Sequence, residues 1–119
     1  MILIVDDDPV FLERAREILN RERRVFWASS SKQALQVAQD LGFSVVLVDL
    51  DLPAQEGLTL ISEIREKFPW LPIIAMDGGP LNEVVKFAKK LGAVEILQKP
   101  VTPESKPVVE RVRAMAARR

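Results

Sequence analysis

The sequence predicts one α/β domain built on a parallel β-sheet. Short runs rich in Val, Ile and Leu recur along the chain, and most of them are almost continuously apolar. Such runs are typical of strands that are buried on both faces, as strands of a parallel sheet are. Longer segments with helical periodicity separate the runs, so strands and helices alternate. The length of 119 residues, without an internal repeat, fits a single domain.

The elements follow one another in regular order. The predicted strands are residues 2–5, 25–28, 45–48, 73–76 and 94–97. The apolar faces of the predicted helices are, in chain order, Phe11, Ala15, Ile18 and Leu19; Ala34, Leu35, Ala38 and Leu41; Leu58, Ile61, Ile64 and Phe68; Leu81, Val84, Val85, Ala88 and Leu91; and Val108, Val112, Met115 and Ala116. The charged residues of the fifth helix that are predicted to face solvent are Glu110, Arg111 and Arg113.

Helix-capping residues support these boundaries. Asp8 precedes Pro9, a pair that is typical of an N-cap followed by a first-turn proline. Ser30 or Ser31 can cap the second helix, and the segment Thr102-Pro103-Glu104 opens the fifth. The glycines predicted as left-handed C-cap residues of the second and fourth helices are Gly42 and Gly92.

The composition excludes several functional classes. The 17 basic and 17 acidic residues give a formal net charge of zero, which disfavours a basic nucleic-acid-binding protein. The absence of cysteine excludes a disulfide scaffold, a thiolate zinc site and a cysteine nucleophile. The absence of histidine removes the commonest general base and metal ligand. Any chemistry must therefore use carboxylates, hydroxyls, lysine, arginine or backbone groups.

Hydropathy and the residues at both chain ends lead to expectations about the cellular location of the protein and about accompanying domains. No run approaches the roughly 20 apolar residues of a membrane helix, and the first residues lack the pattern of a secretory signal. We therefore expect a cytoplasmic protein that makes no membrane contact. The position of Met1 immediately before the first strand favours a natural start. Because Arg118-Arg119 closely follows the fifth helix, we expect either a stand-alone domain or a fragment of a larger protein, without an output domain.

Acidic residues and one lysine follow the ends of the predicted strands. They are Asp6, Asp7 and Asp8 after the first, Asp49 and Asp51 around the end of the third, Asp77 at the end of the fourth and Lys99 after the fifth. Because the carboxyl ends of parallel strands share one sheet edge, we expect these residues to be neighbours. Asp8 alone is well explained as a helix cap, and Asp51 as a loop residue. Their coincidence at four strand ends favours a functional site.

The chemistry of such a cluster is restricted. Packed carboxylates must take up protons, bind a cation or contact a lysine. Oxygen ligands alone suit a hard cation, with Mg²⁺ the usual choice. Mg²⁺ held by a few carboxylates leaves positions for water and phosphate oxygens, and Lys99 adds a second positive charge. This combination favours phosphoryl transfer, and in a chain without His or Cys it favours a carboxylate nucleophile.

These residues resemble the receiver domain of two-component response regulators, over essentially the whole chain. The matching segments are Ile2-Leu3-Ile4-Val5-Asp6-Asp7-Asp8-Pro9, Val48-Asp49-Leu50-Asp51-Leu52-Pro53 with Gly57, and Lys99-Pro100. The resemblance implies a single receiver domain over residues 1–119. It also implies a doubly wound, flavodoxin-like (βα)5 three-layer sandwich with the parallel strand order 2-1-3-4-5.

The resemblance also implies roles for individual residues. Asp49 would be the phosphoacceptor, attacking a phosphohistidine on a sensor histidine kinase or a histidine phosphotransfer protein. Asp7 and Asp49 would bind Mg²⁺ directly, Asp6 would act largely through water, and the backbone carbonyl of Asp51 would be a further ligand. Lys99 would pair with Asp49 and later with a phosphoryl oxygen. The implied backbone features are a cis Lys99–Pro100 bond and a turn into the third helix that Gly57 would allow.

Two positions depart from the receiver pattern. Receivers normally carry Ser or Thr where this chain has Asp77, and an ionised Asp77 cannot donate a hydrogen bond and would repel an aspartyl phosphate. We consider three roles for Asp77: a solvated loop residue, a residue that weakens phosphorylation or its effect, or one that binds cation or orients water. Receivers often carry Tyr or Phe where this chain has Ile96, so any conformational output should differ from the common mechanism.

The leading functional hypothesis is a phosphoacceptor signalling module, not a turnover enzyme, that meets an unknown downstream protein around helix four, strand five and helix five. One alternative is a degenerate receiver that binds proteins independently of phosphate. Another is a haloacid-dehalogenase-class phosphatase, because Asp49-Leu50-Asp51 resembles its DxD motif, although motif order and chain length disfavour it. The basic strip of Lys86, Lys89 and Lys90 is more typical of a solvated or protein-docking face, so we expect no direct nucleic-acid binding.

Overall fold

The computed structural model of the protein describes residues 1–19, 24–79 and 83–117. The strands are β1 (Ile2–Val5), β2 (Val25–Ala28), β3 (Val45–Asp49), β4 (Ile73–Asp77) and β5 (Glu95–Gln98). The helices are α1 (Pro9–Leu19), α2 (Ser31–Asp40), α3 (Glu56–Lys67), α4 (Glu83–Leu91) and α5 (Lys106–Ala117). An irregular turn, Pro53–Gln55, leads into α3, and a single 3-10 turn, Pro103–Ser105, leads into α5. Within the described ranges, no helix combines the length and the hydropathy needed to cross a membrane.

The five strands form one parallel sheet in the order β2-β1-β3-β4-β5, which confirms the predicted fold class and strand order. Each predicted strand boundary is correct to within one residue. The register places Val5 between Ala28 and Val48, and it places Asp49 opposite Met76. The carboxyl ends of the strands are therefore level, and the residues that follow them share one edge.

Helices cover both faces of the sheet and complete a three-layer sandwich. Ile2 and Ile4 pack on the side of α1 and α5, whereas Leu3 and Val5 pack on the side of α2, α3 and α4. All residues of β1 and β3 are buried. Burial on both faces explains why these strands are almost continuously apolar.

Side-chain caps confirm the predicted helix starts. Oδ1 of Asp8 accepts a hydrogen bond from the backbone amide two residues ahead, at 3.0 Å. Ser30, rather than Ser31, caps α2, and its Oγ accepts from a backbone amide at 3.2 Å. Thr102 and Ser105 cap each other's backbone at the turn before α5. Each of these contacts satisfies an amide that the helix itself leaves unpaired.

The predicted apolar faces are mostly buried or half-buried, but two of their members are not. Leu41 is 38% exposed, because it follows α2 in an extended conformation and leaves the helical face. Val84 is 40% exposed in the first turn of α4, where the buried face passes through Val85 and Ala88 instead. Leu81 lies outside the described residues, as do the side chains of Met115 and Ala116.

Two further predictions are wrong in part. Gly42 is not a left-handed cap, since α2 ends in an extended residue, whereas Gly92 does have a positive φ of 132°. Arg113 does not face solvent freely, because Nε donates to Oγ of Ser44 at 3.3 Å and the guanidinium pairs with Glu110 at 3.0 Å. Arg113 thus fastens α5 to the start of β3.

The connection from β3 to α3 brings the helix backbone against the end of β3. The left-handed residues of this turn are Ala54 and Gln55, with φ of 56° and 58°, and not Gly57. Gly57 lies in the first turn of α3, where an added Cβ would stand 2.3 Å from the carbonyl oxygen of Asp49. Its role is therefore to permit close backbone approach, which corrects the role in the turn implied by the resemblance.

Candidate functional site

Three carboxylates meet at the carboxyl edge of the sheet. Asp6 and Asp7 follow β1, and Asp49 is the last residue of β3. One carboxylate oxygen from each residue lies within 4.8 Å of the others. Asp6 and Asp49 are buried, whereas Asp7 is exposed. The structure therefore brings together three of the residues that were expected to be neighbours.

Lys99 closes this group from the side of β5. Its Nζ lies 2.9 Å from Oδ2 of Asp6 and 3.5 Å from Oδ1 of Asp49. The same ammonium lies 4.5 Å from the ring centroid of Phe11, within the range of a cation–π contact. Burial works to lower the pKa of Lys99, but the hydrogen bond to Asp6 and the charges of Asp49 and Asp6 outweigh it and raise the pKa. The Lys99–Pro100 bond is cis, as expected.

Backbone amides hold the two buried carboxylates. The N–H of Asp8 donates to Oδ1 of Asp6 at 3.0 Å, and the N–H of Asp51 donates to Oδ1 of Asp49 at 3.0 Å. Since Lys99 contacts its other oxygen, Asp6 has both oxygens engaged. The carboxylates are thus fixed in orientation by the loops that follow their own strands.

Asp49 carries a charge that its surroundings disfavour. Burial raises the pKa of Asp49 from 3.8 to about 6, and the charges of Asp6 and Asp51 add to this rise. The hydrogen bond from Asp51 and the charge of Lys99 oppose it only in part. With 1% of its surface exposed, Asp49 is a buried anion whose ionisation a bound cation would favour.

The raised pKa predicts how the stability of the metal-free protein depends on pH. Between about pH 4 and about pH 6 the folded state binds more protons than the unfolded state, because the pKa of Asp49 is 3.8 when unperturbed and about 6 in the fold. The free energy of unfolding should therefore fall as pH rises through this window, by up to about 3 kcal/mol. Urea denaturation in EDTA measures the fall. The Asp49→Asn variant should lack this contribution, so parallel profiles for the two proteins would contradict the prediction.

An open groove gives access to Lys99 from solvent. Its volume is about 570 Å³, and its lining residues are Asp8, Val10, Phe11, Arg14, Gly78, Lys99 and Pro100. Val10 is exposed, and Lys99, which lines the groove, contacts Asp6 at 2.9 Å. The groove therefore leaves Lys99 accessible from solvent.

The donor set fits a hard divalent cation. Three converging carboxylates offer oxygen ligands, and the chain contains neither His nor Cys to attract a softer metal. The buried charge of Asp49 supplies a physical reason for cation binding. The residues present are therefore compatible with Mg²⁺.

Comparison with known proteins decides the family. The sequence profile of the response regulator receiver domain matches residues 2–110. The chain belongs to the response regulator receiver family. It is 32% identical to the alginate biosynthesis transcriptional regulatory protein AlgB of Pseudomonas aeruginosa, covering 87% of this chain and 23% of that protein. It is also 32% identical to the transcriptional regulatory protein SrrA of Staphylococcus aureus, covering 98% of this chain and 48% of that protein. The receiver thus spans less than half the length of these relatives.

Solved structures agree with this assignment. A CheY-like response regulator receiver domain protein from Methanospirillum hungatei superposes with a TM-score of 0.86 at 27% identity, covering 99% of this chain and 97% of that one. The receiver domain of NtrX from Brucella abortus gives 0.88 at 27% identity, covering 96% and 98%. The flavodoxin-like fold is therefore confirmed, and the dehalogenase-class alternative is not supported.

The family membership carries general properties. Receiver domains accept a phosphoryl group on an aspartate and are generally not turnover enzymes. They generally bind Mg²⁺ in an acidic pocket and interact with histidine kinases and downstream effectors.

The last residue of β4 is a buried aspartate. Asp77 is 5% exposed and pairs with Gln98 in the sheet, so the interpretation of Asp77 as a solvated loop residue is wrong. Its Oδ2 has no hydrogen-bond partner among the described residues. Asp77 does not belong to the three-carboxylate group.

Ile96 is half-buried and packs against the core on the side of α2, α3 and α4.

Two side chains contact the backbone of Gly78 and Gly79 after β4, and neither contact was predicted from the sequence. The N–H of Gly78 donates to Oδ2 of Asp51 at 3.3 Å, and Nε2 of Gln98 donates to the carbonyl oxygen of Gly79 at 3.2 Å. The strand register is consistent with the first contact. Asp49 pairs with Met76, and Asp51 and Gly78 lie two residues after Asp49 and Met76, respectively. Phe11 was expected only in the core, and no pattern in the sequence indicates its contact with Lys99.

Proposed function

We propose that this chain is a phosphoacceptor domain over residues 1–119 that takes a phosphoryl group onto Asp49 from a sensor histidine kinase or a histidine phosphotransfer protein. The observation that supports it is the placement of Asp49, buried in a group with Asp6 and Asp7 and 3.5 Å from Lys99. The proposal includes Mg²⁺ as cofactor and a cytoplasmic location. The domain holds its phosphoryl group for signalling and is not a turnover enzyme.

The transfer step uses the carboxylate of Asp49 as nucleophile. One of its oxygens attacks the phosphorus of the phosphohistidine, the P–O bond forms as the P–N bond breaks, and the electron pair returns to the imidazole of the partner. The contacts from Asp51 and Lys99 orient the carboxylate before the attack. Such orientation lowers the entropic part of the barrier.

The proposed metal ligands come from the resemblance to receivers, and the convergence of Asp6, Asp7 and Asp49 supports them. Asp7 and Asp49 would hold Mg²⁺ directly together with the backbone carbonyl of Asp51, and Asp6 would act largely through water. The indirect role of Asp6 is supported by its two engaged oxygens. Bound Mg²⁺ would neutralise charge on the oxygens of the transferring phosphoryl group.

Lys99 supplies a positive charge that belongs to the protein and not to a bound cation. The 2.9 Å contact with Asp6 keeps the ammonium at the cluster while its contact with Asp49 gives way to a phosphoryl oxygen. The raised pKa of Lys99 keeps the group charged throughout. Charge stabilisation of this kind is the main task in phosphoryl transfer.

Asp77 weakens retention of the phosphoryl group in this proposal. Its carboxylate is buried at the neighbouring strand end and, when ionised, offers no hydrogen-bond donor to phosphoryl oxygens. Because Ile96 also lacks a ring, the conformational response should be altered. An unknown downstream protein would contact the surface around α4, β5 and α5, where Phe87 and Val84 are exposed.

Replacement of Asp77 tests this role. The Asp77→Thr variant gains a hydroxyl donor and loses a negative charge, so steady-state labelling by acetyl phosphate should rise about tenfold. The Asp77→Ala variant removes the charge without adding a donor and should show a smaller rise. Phosphoprotein mass spectrometry at fixed Mg²⁺ compares the three proteins. Equal labelling of all three would show that Asp77 does not limit the reaction.

The degenerate receiver remains the second candidate, because both Asp77 and Ile96 depart from the family pattern. In that case the chain binds a protein partner without using phosphate. Incubation with acetyl phosphate, or with beryllofluoride, in the presence of Mg²⁺ separates the two functions. Modification of Asp49 and a change in its NMR spectrum are expected for the phosphoacceptor. Their absence in both experiments would favour the binding module.

A further inference from the structure

An aromatic groove lies at the amino ends of β3 and β4, between the end of α2 and the loop from α3 to β4. Its volume is about 290 Å³. The residues that line this groove include Asp40, Leu41, Phe43, Phe68 and Trp70. We propose that the aromatic groove binds an arginine side chain of a partner protein, with the guanidinium held by Trp70 and Asp40. Because Asp49 lies at the opposite end of β3, the inference does not depend on the proposed phosphoacceptor function.

Ring contacts within the fold hold the aromatic side chains of the groove. The ring of Phe43 meets that of Phe26 edge to face, with 5.8 Å between the centroids. The rings of Phe68 and Trp70 meet in the same way at 5.7 Å. Trp70 nevertheless remains 47% exposed. A half-exposed indole attracts a cation, and a planar guanidinium can also stack on it.

Arg65 fixes the loop that carries Trp70. Its Nη1 donates to the carbonyl oxygens of Pro69 and Leu71, at 2.9 and 3.1 Å, and its Nη2 donates to that of Gly92 at 2.8 Å. The guanidinium of Arg65 is thus engaged by backbone carbonyls of two loops. The aromatic groove is therefore formed before a ligand arrives, so binding does not have to order its walls.

The charges around the aromatic groove favour a cationic ligand. Among the described residues that line it, Asp40 alone is charged. Asp40 is exposed at the end of α2 and makes no ion pair with any described residue. The last turn of α2 contains no basic residue, so no side chain of that turn offsets the partial negative charge of the helix end. Lys67 in the last turn of α3 is exposed and does not line the groove.

The size and the apolar surface of the aromatic groove favour arginine. A volume of about 290 Å³ is at the low end for ligand pockets, so the groove suits one long side chain better than a cofactor. The apolar stem of an arginine can lie against Leu41, which is 38% exposed. Its guanidinium can stack on Trp70 and donate paired hydrogen bonds to Asp40. The compact ammonium of a lysine cannot do both.

Titration with acetyl-leucyl-arginine amide tests the proposal, and NMR follows the indole N–H resonances of both tryptophans. Trp27 is the internal control, because it is also 47% exposed but lies on β2 and does not line the groove. We expect a saturable shift for Trp70 and none for Trp27. The citrulline dipeptide keeps the shape of arginine without its charge, and it should bind about fivefold more weakly. The lysine dipeptide should bind about threefold more weakly.

Variants with matched controls separate the two contacts. Asp40→Asn should weaken binding of the arginine dipeptide about threefold, whereas Glu13→Gln, at an exposed position of α1, should change it less than about twofold. Trp70→Ala should weaken binding about tenfold and Trp27→Ala should not. The backbone amide of Gly42, which also lines the groove, reports binding in the variant that lacks Trp70.

Three results would overturn the proposal. One is a Trp70 resonance that does not shift, and another is equal binding of the arginine dipeptide and either counterpart. The third is a shift of the same resonance with protein concentration or on deletion of Arg118 and Arg119. A second copy, or the end of the chain itself, would then occupy the groove in place of a partner protein.

Discussion

The Gly57→Ala variant should be less stable than the wild type by about 2 to 3 kcal/mol. The added Cβ would stand 2.3 Å from the carbonyl oxygen of Asp49 and 3.2 Å from Cα of Leu50, and both are backbone atoms that cannot rotate away. Either α3 or the end of β3 must move. Alanine ordinarily favours a helix over glycine by about 1 kcal/mol, so a net loss identifies the steric cause. Urea denaturation gives the difference in the free energy of unfolding.

Gly42→Ala is the matched control for this variant. An added Cβ at Gly42 meets nothing within 4 Å among the described residues, so its stability should change by less than about 0.5 kcal/mol. Because the clash at Gly57 bears on Asp49, labelling by acetyl phosphate should also fall in Gly57→Ala and not in Gly42→Ala. A Gly57→Ala protein as stable and as active as the wild type would contradict the close approach of α3 to β3.

The Lys99→Met variant should be labelled by acetyl phosphate about 100-fold more slowly than the wild type. The change removes the ammonium that lies 2.9 Å from Asp6 and 3.5 Å from Asp49, and with it the positive charge that would meet the phosphoryl oxygens. Mg²⁺ binding should persist or tighten, because Lys99 is not a ligand and its charge opposes a cation. Rate measurements and Mg²⁺ titrations together separate this effect from unfolding.

An exposed lysine on α4 provides the control for Lys99→Met. Lys89→Met removes the same charge from an exposed side chain in the last turn of α4 that forms no hydrogen bond or ion pair with the acidic cluster, and it should leave the labelling rate within about twofold of the wild type. A Lys99→Met protein that is labelled as fast as Lys89→Met would show that Lys99 has no part in the transfer. Loss of Mg²⁺ binding in Lys99→Met would instead indicate that the cluster itself has collapsed.

The strands of this fold were predicted from the sequence more accurately than the ends of the helices. Strands buried on both faces leave a continuous apolar signal, so β1 was predicted without error. Helix ends depend on local backbone conformation, which periodicity does not report. Leu41 has the sequence spacing of a core residue, but its backbone is extended because it follows the end of α2. Arg113 looks like a solvent-facing charge, and only the tertiary contact with Ser44 reveals otherwise.

Some features of the candidate site were also predictable from the sequence, whereas others were not. The meeting of Asp6, Asp7, Asp49 and Lys99 was predictable, because the residues after the carboxyl ends of parallel strands lie at one edge of the sheet. The steric requirement for glycine at position 57 was not predictable, since it depends on how closely α3 approaches β3. The burial of Asp77 was not predictable either, because the sequence does not show that β4 extends to include this residue.

The site of the phosphoryl group is the most decisive measurement for the proposed function. Wild type and Asp49→Asn are incubated with acetyl phosphate and Mg²⁺, and intact-mass and peptide mass spectrometry locate the label, with Asp51→Asn as a matched neighbour. We expect one phosphoryl group on Asp49 in the wild type, its retention in Asp51→Asn and its loss in Asp49→Asn. A wild type that stays unmodified, or an Asp49→Asn protein labelled to the same extent, would contradict the assignment of Asp49 as phosphoacceptor.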